Sequence, residues 1–428
     1  MTVPASEMIS VENARERILA FVSRLGVERK PLAEALGQVL AEDIVAPFDI
    51  PPLNNTAMDG YAVRAADTTG ASETEPKRLR VIADLAAGYV LDTPVGPGEA
   101  VRIMTGAPLP PGADAVVPFE ETDERLRDPG EQARKAAEVV VYKAAGVSAN
   151  VRFRAEDVSA GQTVLQSGRV VRPSEVGVMA SLGLSEAPVY RRPVVAILST
   201  GDEITPPGEP LLPGRIYDSN AHSIAALVKK CGGVPRMLGI ARDTIDDLTA
   251  KIHEGLDADM LVTSAGVSRG DFDVVKDVLA REGAINFWTV RMRPGKPLAF
   301  GAFRAPDGRQ VPHLGLPGNP VSSMVSFELF GRPALFKMLG RSDWQRPLIK
   351  AITRDRVENT DFRRFYARCI VTLGEDGRYY ADLTGPQGSG ILTSMSAANA
   401  LTVIPEDQPA AEPGDEIEVM MLDWEHAP

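Results

Sequence analysis

LVTSAGVSRGDFD, residues 261–273, decides the fold. With Met260 ahead of it, the stretch opens as a short apolar run of the kind that fills a buried parallel strand. It then passes into a loop of small residues around Gly266, Ser268 and Gly270 and closes on Asp271 and Asp273. A second run of the same form, VVAILST (194–200), leads into GDEI (201–204). Between the two lie SNAHSIAALVKKCGG (219–233), an amphipathic helix with a Gly-Gly stop, and DTIDDLTAKIHEGL (243–256), a second helix. Strands alternating with helices predict a doubly wound α/β domain over 189–338.

Outward from there the texture changes. SVENARERILAFVSRL (10–25) has helical apolar spacing behind Ser10, and PLAEALGQVLAED (31–43) reads as a second short helix. The three prolines of PFDIPPLNN (47–55) forbid regular helix. YAVRA, RLRVIAD and AVRIM are strand-like runs between turns and predict a β domain over 51–147, with DERLRDPGEQARKAAE (123–138) a solvated loop. Residues 1–50 and 148–188 are left as a mixed α+β unit that this β domain interrupts. YARCIVTL, RYYADLTG, ALTVIP and DEIEVMML return to strand texture and predict a C-terminal β barrel or sandwich over 339–428.

Composition narrows the function. The 428 residues carry a net charge of −12, which disfavours nucleic acid as a partner. A local basic pocket for a small anion remains compatible with that charge. Two cysteines and four scattered histidines make neither a disulfide framework nor a zinc set. No run is apolar enough to span a bilayer, and the N-terminal residues do not read as a signal peptide, so a cytoplasmic protein is expected.

In doubly wound sheets ligands sit beyond the carboxyl ends of the strands. Three segments belong there: LSTGDEI (198–204), with Thr200, Gly201, Asp202 and Glu203; GRIYDSNAHSI (214–224), with Asp218, Ser219 and Asn220; and the opening stretch, with Ser264, Gly266, Ser268, Gly270, Asp271 and Asp273. Backbone N–H groups in such loops can cradle an anion, and paired carboxylates can hold magnesium against phosphate. Each segment alone reads equally well as a capped turn. RMRPGKPLAFG (291–301) sets Arg291, Arg293 and Lys296 around a Pro-Gly turn, suited to a small dianion or simply to solvent. GLPGNPVSSMVSFELF (315–330) brings Ser322 to a helix start. There is no P-loop, no Rossmann glycine fingerprint and no nucleophile elbow.

Taken together and in order, NNTAMDGYAVR, RIMTGAPLPPGADAVVP, NVRFRAEDV, LSTGDEI, GRIYDSN, TSAGVSRGDFD, RPGKPLAFG and GLPGNPVSS resemble the molybdopterin molybdenumtransferase family, MoeA and the gephyrin E-domain. RRFYAR (363–368) and GPQGSG (385–390) are similar to its less constant C-terminal motifs. The resemblance implies a transferase that places molybdenum from molybdate on adenylylated molybdopterin, with magnesium and release of AMP. It also implies a homodimer whose cleft is completed by the Asp59 domain of the other subunit, and a possible handover with the molybdopterin adenylyltransferase. Carried over, Asp218 and Asp273 are implied as metal ligands. Asp59, Asp157 and Glu203 are implied as further catalytic carboxylates, and Thr105 and Arg152 as substrate contacts. Arg293, Lys296, Ser322, Arg368 and Ser389 are implied as the molybdate pocket. The chain departs from the family at one glycine of T-S-G-G-V-S, here Ala265, and at Arg269, Phe272 and Arg293. Two other readings compete: an adenylyltransferase, which the α/β domain alone resembles, and a scaffold, for which there is neither a long linker nor a second catalytic module.

Overall fold

The computed structural model describes residues 8–126, 136–265, 278–279 and 281–424. Asp271 and Asp273, with Gly266, Ser268 and Gly270, therefore lie outside the described residues. The chain divides into two compact units, one of residues 43–166 and 177–184, the other of the remaining chain.

The larger unit is built on a six-stranded sheet. Its strands are β1 (Val194–Thr200), β2 (Val234–Ala241), β3 (Met260–Ser264), β4 (Gly283–Thr289), β5 (Pro297–Arg304) and β6 (Gln310–Leu316), in the order β2-β1-β3-β6-β5-β4. The first four in that order are parallel, and β5 and β4 close the edge antiparallel. Alternation along β1 explains why both faces are covered. Val195 and Ile197 join one core with Ala221, Ile224 and Val228, whereas Ala196 and Leu198 join another with Leu248 and Ile252. The first core is completed by α1 (Val11–Phe21) and α2 (Ser219–Lys230), the second by α3 (Ile245–Glu254). Ser10 caps α1 by accepting from the Asn13 N–H. Gly232, at φ +89°, follows α2 where the Gly-Gly stop was expected.

The same unit holds a closed five-stranded barrel. Leu348–Thr353, Tyr379–Leu383, Arg368–Leu373, Ala400–Val403 and Glu416–Met421 pair in that order, as the C-terminal strand texture predicts. Closure leaves no unpaired strand edge. The smaller unit is a five-stranded sheet in which Gly60–Val63 lies between Ala115–Pro118 and Glu99–Ile103. Tyr61 and Val63 pack to one side of it and Ala62 to the other.

One expectation fails and a second holds only in part. Residues 31–43 do not form a helix: Gly37 sits at φ +78°, and Val39 and Leu40 bridge Val170 and Val189 instead. Their apolar side chains are buried through strand-like pairing, which short apolar periodicity cannot tell from a helix turn. In the charged 123–138 stretch Arg125, Leu126, Ala137 and Glu138 are exposed, as a solvated loop requires, but Glu124 is not. Glu124 is buried, accepts from the Tyr61 hydroxyl at 2.6 Å and pairs with the Arg102 guanidinium. A buried carboxylate persists when ionic and hydroxyl donors satisfy it.

Candidate active site

Strand order reverses between β1 and β3: the chain moves from β1 out to β2, then returns to β3 on the other side. A crevice opens at such a switch point beyond the carboxyl ends. Here it is a cleft of about 550 Å³, lined by Ser199 and Thr200 from β1, Ser264 and Ala265 after β3, Asp218 to Asn220 at the start of α2, and Gly318 to Pro320 after β6. Glu203 and Gly390 complete its rim. The sequence motifs STGDE, YDSN and TSA meet at one edge.

Local structure fixes each side chain. Two short parallel strands, Ile204–Thr205 and Ile216–Tyr217, hold the backbone before α2, with Ile216 N–H on Glu203 O and Asp218 N–H on Thr205 O. Asp218, only 6% exposed, caps α2 by accepting from the Ala221 N–H at 3.0 Å through Oδ1. Its Oδ2 has no partner among the described residues. Asn220 is a clamp: its Nδ2 donates to Ser264 Oγ at 2.8 Å and to Gly318 O at 2.7 Å, tying three loops together. Because Ser264 Oγ accepts from Asn220, its own proton is free to reach a ligand. The Asn220 Oδ1 and the Ser199 Oγ are buried without a partner among the described residues. Unpaired buried polar atoms are costly, so two in one cleft mark a place where water or a ligand belongs. Gly201 sits at φ +132°, and a Cβ there would lie 2.4 Å from Glu203 Oε2. That glycine gives the Glu203 carboxylate its room.

Ala265 departs from glycine at a position with φ +82°. An L-residue in the left-handed region is strained, and such strain concentrates at ligand-binding loops. Asp202 faces elsewhere: its Oδ1 is 3.5 Å from the Asp243 N–H, toward α3, and it does not line the cleft.

The basic residues separate sharply. Gly295 holds the RPGKP turn at φ +97°, so close to the helix α4 (Pro320–Ser326) that a Cβ would meet Ser326 Oγ at 2.5 Å. Ser322 is buried on that helix. Lys296 is half-buried and makes no ion pair or side-chain hydrogen bond among the described residues. Arg293 is engaged: its guanidinium stacks 3.7 Å from the Phe365 centroid, donates to Glu358 O at 2.9 Å and faces Asp361. Arg368 is fully buried. Its Nε donates to Ser394 Oγ, its Nη1 to Gln387 O, and its Nη2 to Pro386 O and Gly388 O. Both Nη nitrogens are spent on carbonyls of the GPQGSG loop and Nε on Ser394, so Arg368 positions that loop and does not face the pocket as the sequence reading expects. The loop reaches the cleft through Gly390, and Ser389 O accepts from the Val321 N–H at 3.1 Å.

In the smaller unit, Asp59 is exposed and one oxygen, Oδ1, accepts both the N–H and the hydroxyl of Thr105 at 2.7 Å. Those two bonds, with the Arg102 charge, hold its carboxyl below the usual range. Arg152 and Asp157 are exposed, and neither side chain has an ion pair among the described residues. His313 is not a site residue. It is buried against Thr263 Oγ1 at 3.0 Å, and burial pushes its pKa down to about 3. Among the described residues no three His, Cys, Asp or Glu side chains gather as a metal cluster. Among the described residues no helix is long and apolar enough to cross a membrane.

Sequence reasoning missed Ser199, Ile216, Tyr217 and Asn319 as cleft residues. All four stand inside quoted motifs, and their distance from the strand end would have found them.

Comparison with known proteins gives the same ordering along the chain. Three family models match: the MoeA N-terminal region (domain I and II) at 9–183, a probable molybdopterin binding domain at 196–337 and the MoeA C-terminal region (domain IV) at 350–422. A Mycobacterium tuberculosis protein named molybdopterin molybdenumtransferase 2 is 38% identical over 92% of this chain and 94% of its own. A Nostoc protein named molybdopterin molybdenumtransferase is 35% identical over 98% and 95%. The crystal structure of a Pyrococcus horikoshii molybdopterin biosynthesis MoeA protein superposes with a TM-score of 0.81 at 33% identity, covering 97% of this chain and all of that one. The chain belongs to the MoeA family of molybdopterin molybdenumtransferases.

Proposed function

We propose that the protein is a transferase that moves molybdenum from molybdate onto adenylylated molybdopterin, with magnesium-dependent release of AMP. The observation that carries this reading is the cleft itself, where two carboxylates stand among hydroxyl, amide and helix N-terminal donors, with two buried oxygens unpartnered among the described residues. Donors of that kind suit phosphate oxygens. Carboxylates would repel them unless a cation stands between. The donor set is all oxygen, which fits magnesium, an ion that takes one or two carboxylates and completes its shell with water and phosphate. Asp218, through its open Oδ2, and Glu203 are the described residues that would hold it, with Asp273 as a further ligand. When bound, the ion supplies charge neutralisation at the phosphoanhydride.

The protein's own groups then do the rest. The amides of Ser219 and Asn220 and the Ser264 hydroxyl orient the phosphates. Asn220 keeps the three loops in register as water attacks the phosphoanhydride phosphorus, the P–O bond breaks, and AMP leaves while molybdopterin keeps its own phosphate. Lys296 supplies a point charge for the tetrahedral dianion, with Ser322 and Ser389 as further proposed contacts, and two Mo–S bonds to the dithiolene form as one molybdate oxygen leaves as water with the two thiol protons. Preorganised donors of this kind account for much of the rate in phosphoryl chemistry. Asp59, Thr105, Arg152 and Asp157 are proposed to act from a second copy in a homodimer. The partition into 1–50 with 148–188, 51–147, 189–338 and 339–428 belongs to the same proposal, as do the cytoplasm as the site of action and exchange of substrate with a molybdopterin adenylyltransferase. The test is direct: purified protein, adenylylated molybdopterin, molybdate and magnesium should yield AMP and pterin-bound molybdenum. Absence of both products contradicts the proposal.

A further inference from the structure

The cleft is mostly polar, and its large exposed apolar side chains are gathered at one place. Ile216 and Tyr217, which line it, are 58% and 44% exposed. Large apolar side chains at a cleft rim are normally turned inward or covered, and here the backbone prevents that. Ile216 pairs with Ile204 and Tyr217 with Thr205, and the flanking N–H groups of Ile216 and Asp218 are tied to Glu203 O and Thr205 O. The Tyr217 hydroxyl donates to Glu209 O at 3.0 Å, which anchors the ring from its far end. A ring fixed at both ends cannot fold onto the protein. Its neighbour in sequence is Asp218, the cap of α2 and a candidate ligand for the cation.

We propose that Tyr217, backed by Ile216, is a stacking platform for a flat heteroaromatic ring of the substrate, adenine or pterin, whose phosphates lie at the Asp218 edge. The inference rests on the reading of the cleft as the site for adenylylated molybdopterin, and deepens it by assigning the ring. The chemistry matches at each end: a rigid, amphipathic ring face for the base, and carboxylate and amide groups one residue later for the charged tail. Exposed aromatic rings with a hydrogen-bonded tip gain contact area at little cost in conformational freedom. Tyr217 touches substrate but takes no part in bond breaking, so it sets affinity and leaves the chemical step alone.

The experiment measures binding by calorimetry, with magnesium, using AMP and molybdopterin as separate probes on wild type, Tyr217→Ala, Tyr217→Phe and Leu212→Ser. Leu212 is exposed in the same 206–215 excursion but does not line the cleft, and serves as the control. Loss of a stacking contact predicts a rise of roughly five- to hundredfold in Kd for at least one probe in Tyr217→Ala. The probe affected identifies the ring. Tyr217→Phe keeps the ring and should stay within about twofold of wild type, as should Leu212→Ser. In turnover, Tyr217→Ala should raise KM with kcat little changed, the pattern of lost uniform binding. The proposal is overturned if Tyr217→Ala leaves both Kd values unchanged, if Tyr217→Phe is as damaging as Tyr217→Ala, or if Tyr217→Ala alters only the oligomeric state. Wild-type turnover run in parallel keeps the two claims apart. An active wild type with an unaffected Tyr217→Ala sinks the platform alone, whereas an inactive wild type sinks the reading of the cleft.

Discussion

The carboxylate wall of the cleft and the basic residues assigned to molybdate are built in opposite ways. On the carboxylate wall each side chain is held by backbone, with a helix cap for Asp218 and a glycine at Gly201 for Glu203, and each keeps an oxygen to offer. On the basic side, two of the three predicted cations are consumed by the protein: Arg293 by Phe365, Glu358 and Asp361, and Arg368 by four acceptors of the GPQGSG loop and Ser394. Only Lys296 of the three is left without a partner among the described residues. Spacing in a motif predicts which charges come near a site. Which of them remain available is decided by carbonyls and rings from distant parts of the chain.

The largest effect should come from Asp218→Asn. Asparagine caps a helix as well as aspartate does, so α2 and the fold should survive. The lost charge should lower kcat about 10²- to 10³-fold, the size of losing one transition-state electrostatic contact. Single-turnover AMP release beside a thermal melt separates the two effects, and a large fall in Tm would turn Asp218 into a structural residue.

Arg368→Met breaks the comparison from the other side. It strips the donors from several buried carbonyls, and unpaired buried acceptors cost about 1–3 kcal/mol each. A strongly lowered midpoint in urea is expected. An unchanged midpoint with selective loss of molybdate affinity would return Arg368 to the anion pocket. Lys296→Met should do the reverse, raising the molybdate KM roughly 10- to 100-fold, as for a charged hydrogen bond, with the urea midpoint unmoved.

Asp59 offers a third kind of carboxylate, exposed and held by a single threonine. Thr105→Val removes one of two donors to Oδ1 and should raise the Asp59 pKa, followed by NMR titration. The sign follows from the depressed folded value. The stabilising contact is fully present above the unfolded pKa of an aspartate and is lost as pH falls through the folded one. Thr105→Val should therefore lose it at higher pH than wild type does. The smallest effect belongs to Ala265→Gly. Relief of the left-handed strain is offset by the greater freedom of glycine in the unfolded chain, leaving a change of at most about 1 kcal/mol in stability.

Much of this was legible in the sequence. The β1 and β3 runs are apolar because both faces are buried, and their alternation with amphipathic helices predicts a doubly wound sheet with a cleft at its carboxyl edge. The C-terminal strands were legible by their texture, which left barrel or sandwich open. The turn at 31–43 did not, because Val39 and Leu40 satisfy their backbone across the chain at Val170 and Val189. Arg368 and Asp202 were misread for a related reason. Their partners, the carbonyls at 386–388 and the Asp243 N–H, lie outside the motifs that named them. Tyr217 went unmarked inside a quoted motif because a tyrosine beside an aspartate carries no signal until its exposure is known.

The most direct test of where the chemistry happens is a structure of the protein with adenylylated molybdopterin and magnesium bound. The account predicts phosphate oxygens within hydrogen-bond reach of Ser264 Oγ and the α2 amides, with the cation on Asp218. Phosphates seated elsewhere, such as in the separate pocket of Arg15, Trp344 and Arg364, with the β1 and β3 edge holding only water, would contradict it.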